Sequence, residues 1–124
     1  MPTFTEDENT AKYQVRAYQP GMITINDKIF TTSVIISAEQ LITDWRPQTL
    51  TELEFADFEI IRQLKPDILL IGTGGTLTFP TIETYGELIN HGIGIEIMDT
   101  GAACRTYNAL TAENRSVIAA LLIR

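Results

Sequence analysis

Polar side chains that could bind or react are concentrated in one short segment of the C-terminal third of the chain. The segment contains a carboxylate, a thiol, a guanidinium and an amide, and its candidate site residues are Asp99, Thr100, Cys104, Arg105 and Asn108. Asp99 directly follows an apolar run, which is where open α/β sheets place their ligands. Arg105 and Arg115 could hold a carboxylate or phosphate through paired hydrogen bonds. A thiol close to an arginine can also have a lowered pKa.

The same segment has a structural interpretation, to which we give more weight than to a functional pocket. Asp99 and Thr100 can cap the turn that follows them, because short polar side chains bond readily to nearby backbone amides. Arg105 can pair with Asp99, since small residues between them let the chain turn tightly. Asn108 can close backbone hydrogen bonds. The residues themselves leave both interpretations open.

A glycine-rich loop is the second candidate site, formed by Gly72, Thr73, Gly74 and Gly75. A loop between a parallel strand and a helix can present backbone amides to a phosphate or another small anion. The dinucleotide-binding pattern is not matched, because Leu77 occupies the position of its third glycine, and no Gly-Lys-Ser/Thr sequence follows as in a P-loop. The alternative is a tight turn that requires positive φ angles.

The single cysteine and the single histidine offer little for catalysis or metal binding. Nucleophilic catalysis by Cys104 needs a base within hydrogen-bond reach, and His91 is expected at a helix end on the opposite edge of the sheet. One residue of each type cannot supply the about four ligands of a structural zinc site. We therefore predict no catalytic residue, no metal ligand and no cofactor, and we favour a protein that is not an enzyme.

Composition limits the class of protein further. The 124 residues carry a net charge of −7, which argues against a nucleic-acid surface, because such a surface needs clustered lysine and arginine. The acidic first residues do not resemble a signal peptide. No apolar run approaches the roughly 20 residues that span a bilayer. With one cysteine, a reducing, cytoplasmic setting is expected.

Hydrophobic patterning predicts one α/β domain over residues 13–124, preceded by a flexible, acidic arm over residues 1–12. Short apolar runs from Tyr13 to Ser37, separated by Pro-Gly and Asn-Asp turns, predict two or three antiparallel strands. Extended chain is expected to continue through residues 41–42. We expect this region to form a β-hairpin region at the N-terminal end of the domain.

The middle of the chain predicts a parallel strand–helix–strand unit. Asp67–Ile71 is apolar on both faces, as a central strand covered by helices should be. A helical apolar period from Pro80 to His91 follows, and Ile93–Met98 is a second apolar strand. Because such crossovers are right-handed and join parallel strands, the two strands should be neighbours in a central sheet.

Helices are predicted on both sides of this unit. Thr51 and Glu54 form a capping-box pattern that would begin one helix, which Pro66 would end. Residues 100–110 are expected to form a polar loop or a short helix. Thr111 would then cap a last helix, whose apolar residues are Val117, Ile118, Ala120, Leu121 and Leu122. Trp45 could be a ligand platform, but we favour a cover on the apolar core.

Several motifs together resemble the Mth938-like family, a domain of unknown function (DUF498). They are IGTGGTLTFP, GIGIEIMDTGAACRTYNALTAENRSVIAALL and the single tryptophan shortly before a proline. The resemblance implies a three-layer α/β fold with a central mixed sheet, a parallel βαβ unit flanked by helices and an N-terminal β-hairpin region. The family includes a mitochondrial assembly factor for respiratory complex I. Gly75 and Thr76 depart from it, since a basic residue is expected there in many members.

Two functional hypotheses follow. The first, implied by the resemblance, is a non-enzymatic interaction or assembly factor with an unknown protein partner or a second copy of the chain. The alternative is a small-molecule or anion-binding protein, or an enzyme, that uses the glycine loop and residues 99–108. A pocket should bring Arg105, Asn108 and Thr73 together, whereas an interaction module should expose an apolar patch.

Overall fold

The computed structural model describes residues 9–124, so residues 1–8 of the predicted arm lie outside the described part of the chain. Asn9 is tied to the C-terminal part of the domain. Its Nδ2 donates hydrogen bonds to the carbonyl oxygen of Asn108 (3.1 Å) and to Thr111 Oγ1 (3.0 Å). The arm and the domain boundary at residue 13 stay predictions.

Three short antiparallel strands form a small sheet in the order β1-β2-β3. They are β1 (Val15–Gln19), β2 (Met22–Ile25) and β3 (Lys28–Phe30). Their turns contain Gly21 and Asn26 at positive φ angles of 91° and 55°, a conformation that glycine and, less readily, asparagine adopt. The predicted N-terminal hairpin region is confirmed.

The remaining strands form a five-stranded mixed sheet in the order β5-β4-β8-β6-β7. In chain order they are β4 (Val34–Ser37), β5 (Leu41–Ile42), β6 (Ile68–Thr73), β7 (Gly94–Met98) and β8 (Val117–Leu122). Strand β4 is antiparallel to β5 and β8, whereas β6 is parallel to β7 and β8. Strands β4 and β6 therefore do not touch each other, and β8 joins them.

Each face of this sheet has its own cover. Helices α1 (Glu59–Leu64) and α2 (Ile82–Asn90) pack on one face through residues such as Ile61 and Leu88. Helix α3 (Thr100–Ala112) and the three-stranded sheet pack on the other. Alternate residues of each central strand point to opposite faces, so β6 supplies both cores. The predicted three-layer α/β fold is confirmed.

The parallel unit predicted in the middle of the chain is also confirmed. Strands β6 and β7 are parallel neighbours, with Leu69 opposite Ile95 and Ile71 opposite Ile97. Helix α2 connects them and is followed by Gly92 at φ 81°. Glycine at this position closes the helix without a steric cost.

The predicted last helix is wrong, because residues 117–122 form the central strand β8. All six residues are buried, and the strand pairs with β4 on one side and β6 on the other. A continuous apolar run fits a buried helix or a central strand equally well, and here pairing with distant strands decides. Thr111 lies instead in the last turn of α3, where its Oγ1 donates to the carbonyl oxygen of Tyr107 (3.0 Å). The segment expected as a loop or short helix is the 13-residue α3 itself.

The helix predicted to begin at Thr51 is interrupted. Two 3₁₀ segments come first, Leu50–Glu52 and Phe55–Phe58, and the α-helical part is confined to the six residues of α1. The capping box is formed by Glu54 and Asp57, so the predicted pairing of Thr51 with Glu54 is wrong.

This irregular segment packs against Trp45. Trp45 is buried, and its ring lies 5.8 Å from that of Phe58, centroid to centroid. The indole Nε1 donates to the carbonyl oxygen of Asp57 (3.1 Å). The favoured interpretation of Trp45 as a cover on the core, not a ligand platform, agrees with this position.

Native-state hydrogen exchange should rank the strands by their position in the five-stranded sheet. We expect the amides of Ala119 and Ala120 in β8 to exchange only through global unfolding, because β8 is paired on both sides. Amides of the two-residue edge strand β5 should exchange about tenfold faster or more through local opening. Exchange in β8 as fast as in β5 would contradict the central position of β8.

Candidate functional site

The Thr100 side chain joins the glycine loop, the start of α3 and the end of β8. Its Oγ1 accepts a hydrogen bond from the Gly74 amide (2.8 Å) and donates one to the carbonyl oxygen of Leu122 (2.6 Å). The Thr100 amide in turn donates to the carbonyl oxygen of Gly74 (2.9 Å). The Thr100 hydroxyl and the backbone groups of Gly74, Thr100 and Leu122 therefore form hydrogen bonds with one another inside the protein.

The glycines of the loop allow these elements to approach closely. A Cβ at Gly72 would lie 2.8 Å from Thr100 Oγ1, and one at Gly74, where φ is 96°, would lie 2.0 Å from the carbonyl oxygen of Arg124. The Gly75 amide donates to that same carbonyl oxygen (3.3 Å). Because the amides of Gly74 and Gly75 have partners in the protein, the tight-turn interpretation fits better than a phosphate-binding loop.

Thr73 forms side-chain hydrogen bonds with the backbone of the loop that follows it. Its Oγ1 donates to the carbonyl oxygen of Thr76 (2.7 Å) and accepts from the Thr78 amide (3.3 Å). It therefore does not converge with Arg105 and Asn108, as a pocket shared by both candidate segments would require.

Asp99 caps α3, as one interpretation of the sequence proposed. Its Oδ1 accepts a hydrogen bond from the Ala102 amide (2.9 Å). Within residues 9–124, no ion pair within 4.0 Å joins Asp99 to Arg105. The predicted stabilising pair between these side chains is therefore absent from the described structure.

Asn108 attaches α3 to β1. Its Oδ1 accepts from the Val15 amide (3.1 Å), and its Nδ2 donates to the Val15 carbonyl oxygen (2.7 Å). At the preceding residue of α3, the Tyr107 hydroxyl donates to the carbonyl oxygen of Tyr13 (2.7 Å). The expectation that Asn108 closes backbone hydrogen bonds is met: its amide oxygen and one of its two N–H groups are bound to Val15.

Cys104 lies on the buried side of α3, in the apolar core, and is 5% exposed. Burial raises the pKa of its thiol from 9.0 to about 12, and the positive charge of Arg105 offsets only part of this effect. The suggestion of a lowered pKa is therefore wrong, because desolvation outweighs the nearby guanidinium. A thiol in this state is a poor nucleophile.

A cleft of about 190 Å³ separates β1 from α3. It brings together the predicted residues Cys104, Arg105 and Asn108 with Arg16, which the sequence analysis did not single out. Its lining is completed by Val15, Ala17, Tyr18 and Gly101. Arg16 could not be found from the sequence, because its direction depends on an irregularity in β1 that no local pattern reveals.

A second feature missed from the sequence is an apolar surface around α2. Ile82 and Ile89 belong to the apolar period of this helix, yet both are exposed, and only Leu88 of α2 is fully buried. We use the name "α2 surface" for the exposed apolar side chains on and around this helix, which are Phe55, Leu77, Phe79, Ile82 and Ile89. A shallow cleft of about 230 Å³ adjoins it, with Phe79 and Pro80 on one side and Leu50 and Leu53 on the other.

A family model described as "Protein of unknown function (DUF498/DUF598)" matches residues 15–122. A solved Bordetella pertussis protein described as a Mth938-like domain is 29% identical, with a TM-score of 0.79 over 99% of this chain and 92% of that chain. Sequence and architecture therefore agree on the same family.

Curated relatives carry two kinds of name. The "13 kDa major membrane protein" of Francisella tularensis is 28% identical over 94% of this chain and 96% of its own length. A Danio rerio protein named "NADH dehydrogenase (ubiquinone) 1 alpha subcomplex assembly factor 3" is 28% identical over 94% of this chain and 68% of its own length. Two kinds of feature are absent from the described residues. From residue 9 onward, none of the helices has the length and apolarity needed to cross a membrane. No group of three or more His, Cys, Asp or Glu side chains in this same part of the chain could hold a metal ion.

Removal of the Thr100 hydroxyl should destabilise the domain. Thr100→Val keeps the shape but leaves the Gly74 amide and the Leu122 carbonyl buried without this partner, so the free energy of unfolding should fall by about 2–4 kcal/mol. Thr100→Ser keeps the hydroxyl and should lose about 1 kcal/mol or less. Urea unfolding of both variants measures the difference, and equal losses would show that the hydroxyl does not hold the junction.

Cys104 should be protected from thiol reagents in the folded protein. Because its folded pKa lies near 12 while that of the unfolded chain is near 9.0, the thiolate is scarce below pH 9, and modification should follow unfolding. Between pH 9 and 12 the unfolded chain releases this proton first, so its contribution to stability falls as pH rises. Cys104→Ala should remove that part of the alkaline loss. Rapid modification at pH 8 without denaturant would contradict burial of the thiol.

Proposed function

The chain belongs to the DUF498 family, and from that premise we propose that it is a non-enzymatic protein that binds another protein during assembly of a respiratory complex. Relatives named as assembly factors for NADH dehydrogenase support this role. The chain spans 68% of the Danio rerio protein and 56% of its Xenopus tropicalis namesake. A cytoplasmic setting and a partner other than nucleic acid, both expected from composition, are part of the proposal.

The α2 surface is the observation that carries this proposal. Phe79 is 67% exposed and Ile82 is 54% exposed, and Ile82 and Ile89 are seven residues apart on one helix, so they lie on one face. Gly86 lies beside Ile82 on that face, since a Cβ at Gly86 would be 3.2 Å from Ile82 Cγ1. Large apolar side chains exposed on one helix face and in the segment that leads into it are typical of protein–protein contacts, whereas isolated ones are ordinary.

The charges around this surface favour a partner that differs from the chain itself. Glu83 and Glu87 are exposed on α2, next to the apolar residues. In a symmetric dimer the same surface would face its own copy, which would bring these carboxylates close to like charges. A partner with an apolar patch and a basic rim would meet both features. A homodimer through this surface is thus an alternative that the experiment below distinguishes.

The alternative function, a pocket shared by the glycine loop and residues 99–108, has less support. The amides of Gly74 and Gly75 bond within the protein. Thr73 faces its own loop, while Asn108 bonds to β1. Thr73, Gly74, Gly75 and Asn108 therefore do not converge on a common ligand, which leaves the α2 surface as the better candidate for function.

Affinity capture from the source organism should test the α2 surface. Wild type, the double variant Phe79→Asp/Ile82→Asp and the control Ile29→Asp are compared, since Ile29 is an apolar residue of β3 that is 61% exposed on the other side of the central sheet. We expect a component of the respiratory complex to be retained by wild type and the control. The double variant should bind that purified component about tenfold more weakly or worse.

Two results would contradict the proposal. Equal retention by all three proteins would exclude the α2 surface, and capture of only the chain itself would point to the homodimer. Thermal midpoints of the variants should match wild type within a few degrees, because all three substituted side chains are exposed.

A further inference from the structure

Two arginines face one cleft between β1 and α3, on the side of the central sheet that does not carry α2. We propose that Arg16 and Arg105 form a binding site for an oxyanion, a phosphate or carboxylate group, on a small molecule. This site is separate from the α2 surface, and it makes no use of the glycine-loop amides.

An irregularity in β1 positions the first arginine. Val15 pairs with Ile25 and Ala17 pairs with Thr24, so the register shifts by one residue and Arg16 has no opposite residue in β2. Such a β-bulge changes the direction of a side chain and is common next to binding sites. Val15 and Tyr18 both pack against the core under α3, which an unbroken alternation would not allow for residues three apart.

Helix α3 maintains the bulge and carries the second arginine. The Asn108 amide bonds to both the amide and the carbonyl oxygen of Val15, directly before the bulge. Arg105 lies one turn after Gly101, and a Cβ at Gly101 would be 3.5 Å from Arg105 Nη1. The helix thus fixes β1 and places the guanidinium over a position where the small residue leaves room.

Neither guanidinium forms an ion pair within the described part of the chain. Arg46, Arg62 and Arg115 each have a carboxylate within 4.0 Å, whereas Arg16 and Arg105 have none among residues 9–124. The nearby Asp99 carboxylate accepts the Ala102 amide and caps the helix. Although the chain has a net charge of −7, two arginines without an ion pair among residues 9–124 give this cleft a local positive charge.

The other lining groups narrow the ligand class. The Tyr18 hydroxyl donates to the carbonyl oxygen of Ile123 (3.0 Å), and the Asn108 side chain is engaged with Val15. The remaining side-chain donors are the second N–H of the Asn108 amide and the two guanidiniums, whose planar forks match the oxygen atoms of phosphate and carboxylate. A volume of about 190 Å³ suits such a group better than a whole nucleotide.

Titration with inorganic phosphate and with acetate, followed by amide chemical shifts in NMR spectra, should test the site. Ionic strength is held constant with chloride at about 0.1 M, because exposed charges are screened by salt. We expect saturable shifts at Arg16, Gly101 and Arg105 with at least one of the two anions. Tighter phosphate binding would assign a phosphorylated ligand, and tighter acetate binding a carboxylate. Absence of saturation with both anions would overturn the proposal.

Charge-matched variants separate this site from a general charge effect. Arg16→Ala and Arg105→Ala should each weaken binding about tenfold or more, whereas Arg62→Ala, which removes the same charge on α1, should change it less than about twofold. Arg105→Lys should bind with intermediate affinity, because it keeps the charge and loses the fork. Equal weakening by Arg62→Ala would overturn the proposal. The outcome is independent of partner capture by the α2 surface.

Discussion

One buried hydroxyl, Thr100 Oγ1, connects the three elements on which the architecture depends. It accepts the amide of the loop after β6 and donates to the last carbonyl of β8, while the backbone around it begins α3. If this hydroxyl were removed, both backbone groups would be left buried without this hydrogen-bond partner, and each loss would reduce the free energy of unfolding. The close contacts at Gly72 and Gly74 follow from this junction, because the loop, strand and helix must nearly touch for one oxygen atom to serve them all. Because the Gly74 and Gly75 amides form hydrogen bonds within the protein, they are not free to bind a ligand.

The central sheet separates two surfaces of different chemistry. On one face, α2 buries Leu88 and leaves Ile82 and Ile89 to the exterior, next to acidic residues. On the other, the attachment of α3 to β1 by Asn108 shapes a cleft with two arginines. The rigid sheet holds these surfaces apart, so occupation of one would not block access to the other. Under the two proposals, a protein partner and a small anionic molecule would bind on opposite faces of the sheet.

Features that depend on local chemistry could be predicted from the sequence, and features that depend on distant contacts could not. The parallel unit around β6, the cap at Asp99 and the glycine turn follow from neighbouring residues. The strand β8 was predicted as a helix, because six apolar residues carry no period and their partners lie more than 40 residues away. The bulge that turns Arg16 into the cleft depends on pairing with β2 and on Asn108. The pKa of Cys104 depends on its depth in the core.

The position of β8 has a consequence for how the chain is made. Strands β4 and β6 are synthesised before β8 and do not pair with each other. Each therefore has one unpaired edge until β8 has been added. On the ribosome, the nascent segments VIIS and ILLIGT expose β-forming apolar backbone until β8 emerges. The five-stranded sheet is therefore complete only after β8 has been added, and before that point its unpaired strands are exposed to aggregation and to chaperones.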